Sequence, residues 1–295
     1  MAHNIFKGLG VALITPFDKT GAVDYTALRR LVEYQLQSGA DFLCILATTG
    51  ETPCLTAEEK QKITRMVVEV NAGRVPILIG CGGNNTAAVV EEVRSTPWKG
   101  VDGILSVCPF YNKPSQEGLY QHFKAIAEAS PLPVVLYNVP GRTGVNLAPQ
   151  TTIRLAKDCP NIVAIKEASG SLEQVDEIIK GKPKDFDVLS GDDALTFSMV
   201  ASGAAGAISV IGNALPKEVA RMIRLEKKGE YEPARKIHHS FTELYKLLFV
   251  DGNPAGVKAL LHEMGYIENV LRLPLVPTRL TTLQKITCIL KELKI

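Results

Sequence analysis

The stretch Ile162-Val163-Ala164-Ile165-Lys166-Glu167-Ala168-Ser169 reads as a strand that stays apolar on both faces until a lysine interrupts it. Successive residues of a strand point to opposite sides, so Ile162, Ala164, Lys166 and Ala168 share one face and Val163 and Ile165 the other. A strand with no polar face belongs in a sheet covered on both sides, as in parallel β/α folds. Lysine is rarely buried without a partner. Desolvation disfavours the ammonium form of a buried lysine, and the free amine is the form that attacks a carbonyl. The small Ala164 and Ala168 leave room for a ligand beside it. Two readings stand at this point: a nucleophilic amine, or a strand-end lysine that snorkels to solvent or pairs with Glu167.

Outward from this stretch, short apolar runs alternate with amphipathic segments at nearly even intervals. Strands are expected at 10–15, 42–46, 76–80, 103–108, 133–138, 162–168, 187–190 and 204–210, and helices between them at 24–37, 56–71, 86–94, 115–129, 148–157, 171–180 and 192–201. Thr56-Ala-Glu-Glu59 has the capping-box pattern, and Ser115 and Ser171 lead further helix starts. Eight β/α repeats with continuous apolar strands indicate an α/β fold, a (β/α)8 TIM barrel. An open doubly wound sheet is disfavoured, because neither GxGxxG nor GxxxxGK(S/T) follows a strand. After Gly212 the pattern is helical throughout, at 216–227, 233–250, 254–264 and 280–293. The expected division is a catalytic barrel over 1–228 and a C-terminal helical extension over 229–295, packed on the barrel.

The chain has 295 residues, a length that a single large barrel accommodates. Its 33 basic and 31 acidic residues are interspersed and leave a net charge of +2. That balance gives no footprint for nucleic acid or an anionic membrane surface. Cys44, Cys54, Cys81, Cys108, Cys159 and Cys288 form no CxxC and read as small buried hydrophobes in a reducing compartment. With no leader pattern and no apolar run near the roughly 18 residues of a membrane span, a cytoplasmic location is expected. His3, His122, His238, His239 and His262 lack metal-ligand spacing, so no metal site is expected.

In such a barrel chemistry sits at the carboxyl ends of the strands. Those ends carry Thr48-Thr49-Gly50-Glu51, Pro109-Phe110-Tyr111-Asn112-Lys113-Pro114, Tyr137-Asn138-Val139-Pro140-Gly141-Arg142-Thr143-Gly144, Lys166 and Ser190-Gly191-Asp192-Asp193. Thr-Thr-Gly is either an ordinary turn or, with φ freedom at Gly50, two hydroxyls and successive amides, a carboxylate clamp. Tyr137 is a core aromatic or a proton carrier beside Lys166. Arg142 is a solvated charge or a bidentate ligand for a substrate carboxylate. Asp192 and Asp193 look like helix N-cap residues.

Together these motifs resemble the pyruvate-dependent class I aldolase and lyase family, which includes the N-acetylneuraminate lyases, and within it the dihydrodipicolinate synthase branch. The resemblance runs from Gly8 to about Asn253. It implies a barrel, usually tetrameric, that condenses pyruvate with L-aspartate-4-semialdehyde on the path to lysine and diaminopimelate, without a cofactor. It makes Lys166 the Schiff-base residue and Tyr137, Thr48 and Tyr111 the proton relay, with Tyr111 supplied across a subunit interface. Thr49, with backbone groups near Gly191 and Ile208, would hold the pyruvate carboxylate, and Arg142 the carboxylate of the aldehyde. Relatives that accept a neutral sugar share the Lys and Tyr pattern, so a sugar-acid lyase is the nearest alternative; a non-catalytic binding barrel is a third. Ala47 and Thr52 depart from the branch's usual Gly and Ser around the threonines. The lysine-binding allosteric site of regulated members corresponds to Ala57, Lys60, Asn84, Ala88 and Phe110, of which only Asn84 matches, so feedback inhibition by lysine is expected to be weak or absent.

Overall fold

The computed structural model describes residues 5–293, which leaves His3 outside. Its strands are β1 (Gly8–Ala12), β2 (Phe42–Ile45), β3 (Ile77–Gly80), β4 (Gly103–Val107), β5 (Val134–Asn138), β6 (Ile162–Glu167), β7 (Asp187–Ser190) and β8 (Gly206–Ser209). They close into a barrel in sequence order. The pairs β1–β2, β3–β4, β4–β5, β5–β6, β6–β7 and β7–β8 are parallel, and helices intervene between the strands. This is the (β/α)8 architecture expected from the repeat. Every residue of β1, β2, β5, β6 and β8 is buried, as strands covered on both faces require.

The helix starts follow the capping chemistry of the sequence. Thr56 accepts from the Glu59 amide while Glu59 reaches back to the Thr56 amide, and Ser115 and Ser171 accept from Gly118 and Gln174. Each satisfies amides that the first turn leaves without partners.

Two compact units divide the chain. One comprises Pro76–Ile208 with the segment ending at Gly8, and the other Leu9–Val75 with the chain from Ser209 onward. The first holds β3 to β8. In the second, β1 and β2 are accompanied by the helices Pro216–Lys227, Tyr231–Ser240, Thr242–Val250, Ala255–Glu263 and Leu280–Leu293.

Three elements differ from the sequence reading. β1 lies about two residues early and stops at Ala12, because the Asn213 side chain takes over its ladder: its amide donates to the Ala12 carbonyl at 2.8 Å and its oxygen accepts from the Ile14 amide at 3.0 Å. The helix expected over 233–250 is broken at Phe241, a buried ring set edge-on against Tyr245, whose backbone leaves the helical region; burial of that ring overrides the helical period. The helix expected from Asp192 begins only at Thr196, and its N-cap is Leu195. Asp192 instead accepts from the Ala194 amide at 3.0 Å, closing a local turn.

Candidate active site

Lys166 sits one residue from the carboxyl end of β6, level with Tyr137 on β5 and Leu189 on β7. It is 4% exposed, and its ammonium nitrogen lies 4.3 Å from the centroid of the Tyr137 ring. That contact follows from the register, since neighbouring residues of paired strands point to the same side. Gly191 completes the setting. A Cβ at 191 would stand 3.0 Å from Cγ and Cε of Lys166 and 2.8 Å from the Ala168 methyl, so only glycine leaves the lysine stem its path. The Gly191 amide donates to the Glu167 carbonyl at 2.8 Å. Ile208 is buried within β8.

Pairing between Lys166 and Glu167 does not occur. Glu167 points to the other face of the strand, where its carboxylate accepts from the Ser169 amide (2.7 Å), from Gln174 (3.0 Å) and from Asn138 (3.1 and 3.2 Å). Burial, with the Glu167 charge second, pushes the nearby Cys108 thiol far up, which keeps it an inert hydrophobe.

Arg142 is exposed on the short helix Pro140–Thr143 that follows β5. The neighbouring loop places Tyr111 at φ 73° and Lys113 at φ 45°, a left-handed conformation that costs a bulky residue roughly 1–2 kcal/mol. The Tyr111 amide faces the Thr143 carbonyl at 3.4 Å, while its ring is 90% exposed.

Thr48 and Thr49 belong to the second unit, on a 3₁₀ turn after β2. Thr49 is buried and its hydroxyl accepts from the Asn253 amide at 3.1 Å. The left-handed residue of this turn is Glu51, at φ 52°, although the neighbouring Gly50 would carry no Cβ penalty in that conformation. Side-chain bonding overrides that preference. Glu51 is buried, forms an ion pair with the fully buried Lys258 and accepts from the Arg272 amide at 3.0 Å. The departures from the usual motif are absorbed locally, with the Thr52 hydroxyl donating to the Ala47 carbonyl at 2.9 Å.

Sequence reasoning missed Lys258. Burial lowers its pKa to about 8 against the opposing pull of Glu51, and it also donates to the Val270 carbonyl at 3.0 Å. The available signal was a lysine inside the apolar run Val257-Lys258-Ala259-Leu260-Leu261. Arg272 extends the cluster through 2.6 and 2.8 Å bonds to Glu59, whose carboxyl they hold down at about 2. Among the described residues, no group of three or more His, Cys, Asp or Glu is disposed to hold a metal, and no helix is long and apolar enough to cross a membrane.

A buried lysine at the end of β6, a tyrosine in register beside it and a Thr-Thr turn after β2 are features against which known proteins can be compared. The model of the dihydrodipicolinate synthetase family matches residues 5–293. The chain belongs to that family. A relative from Phocaeicola vulgatus, named 4-hydroxy-tetrahydrodipicolinate synthase, is 63% identical over all of this chain and 99% of its own length. A crystal structure of dihydrodipicolinate synthase from Thermotoga maritima superposes with a TM-score of 0.95 at 42% identity, covering 98% of this chain and 99% of that one. The synthase from Acinetobacter baumannii, crystallised with pyruvate, gives 0.95 at 39% identity over 99% of this chain and all of that one.

Proposed function

We propose that the protein condenses pyruvate with L-aspartate-4-semialdehyde to give 4-hydroxy-tetrahydrodipicolinate by Schiff-base catalysis. The observation that carries the reading is the buried Lys166 against Tyr137, in a chain that matches synthases of this name from end to end. The Lys166 amine adds to the pyruvate ketone and water leaves, forming a protonated imine. That cation withdraws electrons, so a methyl proton departs and the resulting enamine carbon attacks the aldehyde, whose oxygen takes a proton to become the hydroxyl. The semialdehyde's own amine then adds to the re-formed imine carbon and expels the Lys166 amine, closing the ring and freeing the enzyme. Tyr137, Thr48 and Tyr111 carry the protons. Thr49 and backbone groups near Gly191 and Ile208 hold the pyruvate carboxylate, and Arg142 binds the carboxylate of the aldehyde.

The working form is a homo-oligomer, a tetramer in which Tyr111 completes the site of a neighbouring subunit. The exposed ring on a strained backbone supports this, since a partner's contacts offset strain that the lone chain leaves uncompensated. Lysine is a weak regulator or none at all: Ala88 offers no carboxylate and Lys60 adds a cation, while the Asn84 amide is engaged with the Phe110 carbonyl at 3.1 Å. A marked slowing by millimolar lysine would contradict this.

The deciding experiment follows pyruvate consumption with the semialdehyde, and separately with N-acetylmannosamine, as acceptor. Turnover with the semialdehyde alone is expected. Turnover with the sugar alone would reassign the protein to sugar-acid cleavage. Failure with both, together with no borohydride-trapped pyruvate on Lys166, would leave a binding barrel.

A further inference from the structure

We infer that Glu167, Asn138, Asn146 and Gln174 form a positioning network that fixes Arg142 for the aldehyde substrate, an inference that rests on the role proposed above for Arg142. The loop bearing Arg142 runs between Asn138 and Asn146 and is stiff within itself. The Arg142 amide donates to the Val139 carbonyl and the Gly144 amide to the Pro140 carbonyl, both at 2.9 Å, and the Thr143 hydroxyl to the Val145 carbonyl at 2.9 Å. A stiff loop is aimed by its ends, and both ends are tied to Glu167, Asn138 directly and Asn146 through Asn138 and Gln174. Asn138 donates to both Glu167 oxygens and to Asn146 at 2.8 Å, and accepts from the Leu147 amide at 2.9 Å. Asn146 donates to Gln174 at 2.8 Å, and Gln174 donates back to Asn146 at 3.2 Å and to Glu167 at 3.0 Å. The circuit is closed. Its anchor is the residue next to Lys166, so the same carboxylate ties the guanidinium-bearing loop to the strand that carries the amine.

The network's chemistry is specific to a carboxylate. Glu167 accepts from three groups, Asn138, Gln174 and the Ser169 amide, all of them donors. A glutamine there would turn its own N–H toward one of them and leave a buried donor without an acceptor. Lys166 and Tyr137 are fixed by the strand ladder, so formation of the imine does not depend on the circuit, whereas capture of the aldehyde does.

The test is steady-state kinetics of Glu167→Gln with each substrate varied in turn, alongside borohydride trapping of pyruvate on the intact enzyme. The KM for the aldehyde should rise at least roughly tenfold, the scale of one mispaired buried polar group, with trapping and the KM for pyruvate within about twofold of wild type. Gln174→Ala, which keeps the Asn138 bonds to Glu167 and removes one arm of the circuit, should move the same way by less and covers the case in which Glu167→Gln folds poorly. Exchanging the two groups in Asn138→Asp with Glu167→Gln restores a donor facing a carboxylate and should recover part of the lost aldehyde affinity. An unchanged aldehyde KM, or trapping that falls in parallel with it, would overturn the inference. A wild-type protein that neither traps pyruvate nor consumes the aldehyde would instead sink the function itself, and this inference with it.

Discussion

Glu167 and Glu51 are both buried glutamates within three residues of a proposed catalytic group, and they are satisfied in opposite ways. Glu167 is surrounded by neutral N–H donors from Asn138, Gln174 and Ser169. Glu51 is paired with the ammonium of Lys258 and capped by the Arg272 amide. In the first region the carboxylate faces away from the adjacent lysine, so Lys166 lacks that counter-ion. In the second, the counter-ion keeps Lys258 as a structural cation beneath the Thr48–Thr49 turn. Burial alone therefore does not separate the two lysines; the direction of the nearest carboxylate does, and it sets the role proposed for Lys166 apart from that of Lys258.

The largest expected effect breaks the comparison outright if it fails. Lys166→Ala should abolish turnover and pyruvate trapping while the fold persists by circular dichroism, and residual trapping would move the nucleophile to another lysine. Next, Lys258→Met should cost about 3–5 kcal/mol in denaturant unfolding by leaving Glu51 buried and unpaired, with most of the loss recovered when Glu51→Leu is added. An additive double variant would mean that the pair is not coupled.

A third buried glutamate sharpens the contrast. Neither oxygen of Glu226 meets a hydrogen-bond donor among the described residues, and burial pushes its carboxyl up to about 8. A carboxyl raised in the folded state contributes stability that is complete below its unfolded value, about 4.5, and is lost as pH rises through about 8. Glu226→Gln should therefore flatten the alkaline side of a melting-temperature profile and leave the acid side alone. Glu59 gives the smallest effect and the opposite sign. Lowered to about 2 by Arg272, it stabilises fully above about 4.5 and progressively less as pH falls toward 2. Because the pair is partly exposed, Glu59→Gln should remove only about 1 kcal/mol, read as a shallower acid limb.

The repeat, the strand count and the lysine at the end of β6 were legible because they rest on local periodicity and on one residue out of character with its surroundings. The networks were not. Glu51 and Lys258 are 207 positions apart, and nothing near either names the other. Glu167 and Asn138 were visible as motif residues, yet their pairing depends on the β5–β6 register. The left-handed residue of the Thr-Thr-Gly turn was not legible either: glycine's intrinsic preference points to Gly50, whereas the buried ion pair goes with the left-handed Glu51. The Asp192 and Asp193 pattern was read as a helix cap because an aspartate that closes a turn and one that caps a helix look alike without the fold.

The side chain that ends β1 has a consequence for how the protein folds. Asn213 bonds Ala12 across 201 residues of chain and Ile14 across 199, and its own carbonyl receives Gln35 at 2.8 Å. Contacts of such separation form only after the intervening loop has been closed at full entropic cost. They are thus expected to form late, on the native side of the folding barrier. Asn213→Ala is expected to leave the refolding limb of a chevron nearly unchanged and to steepen the loss of protein by unfolding, so this one amide acts as a latch on the lifetime of the native state.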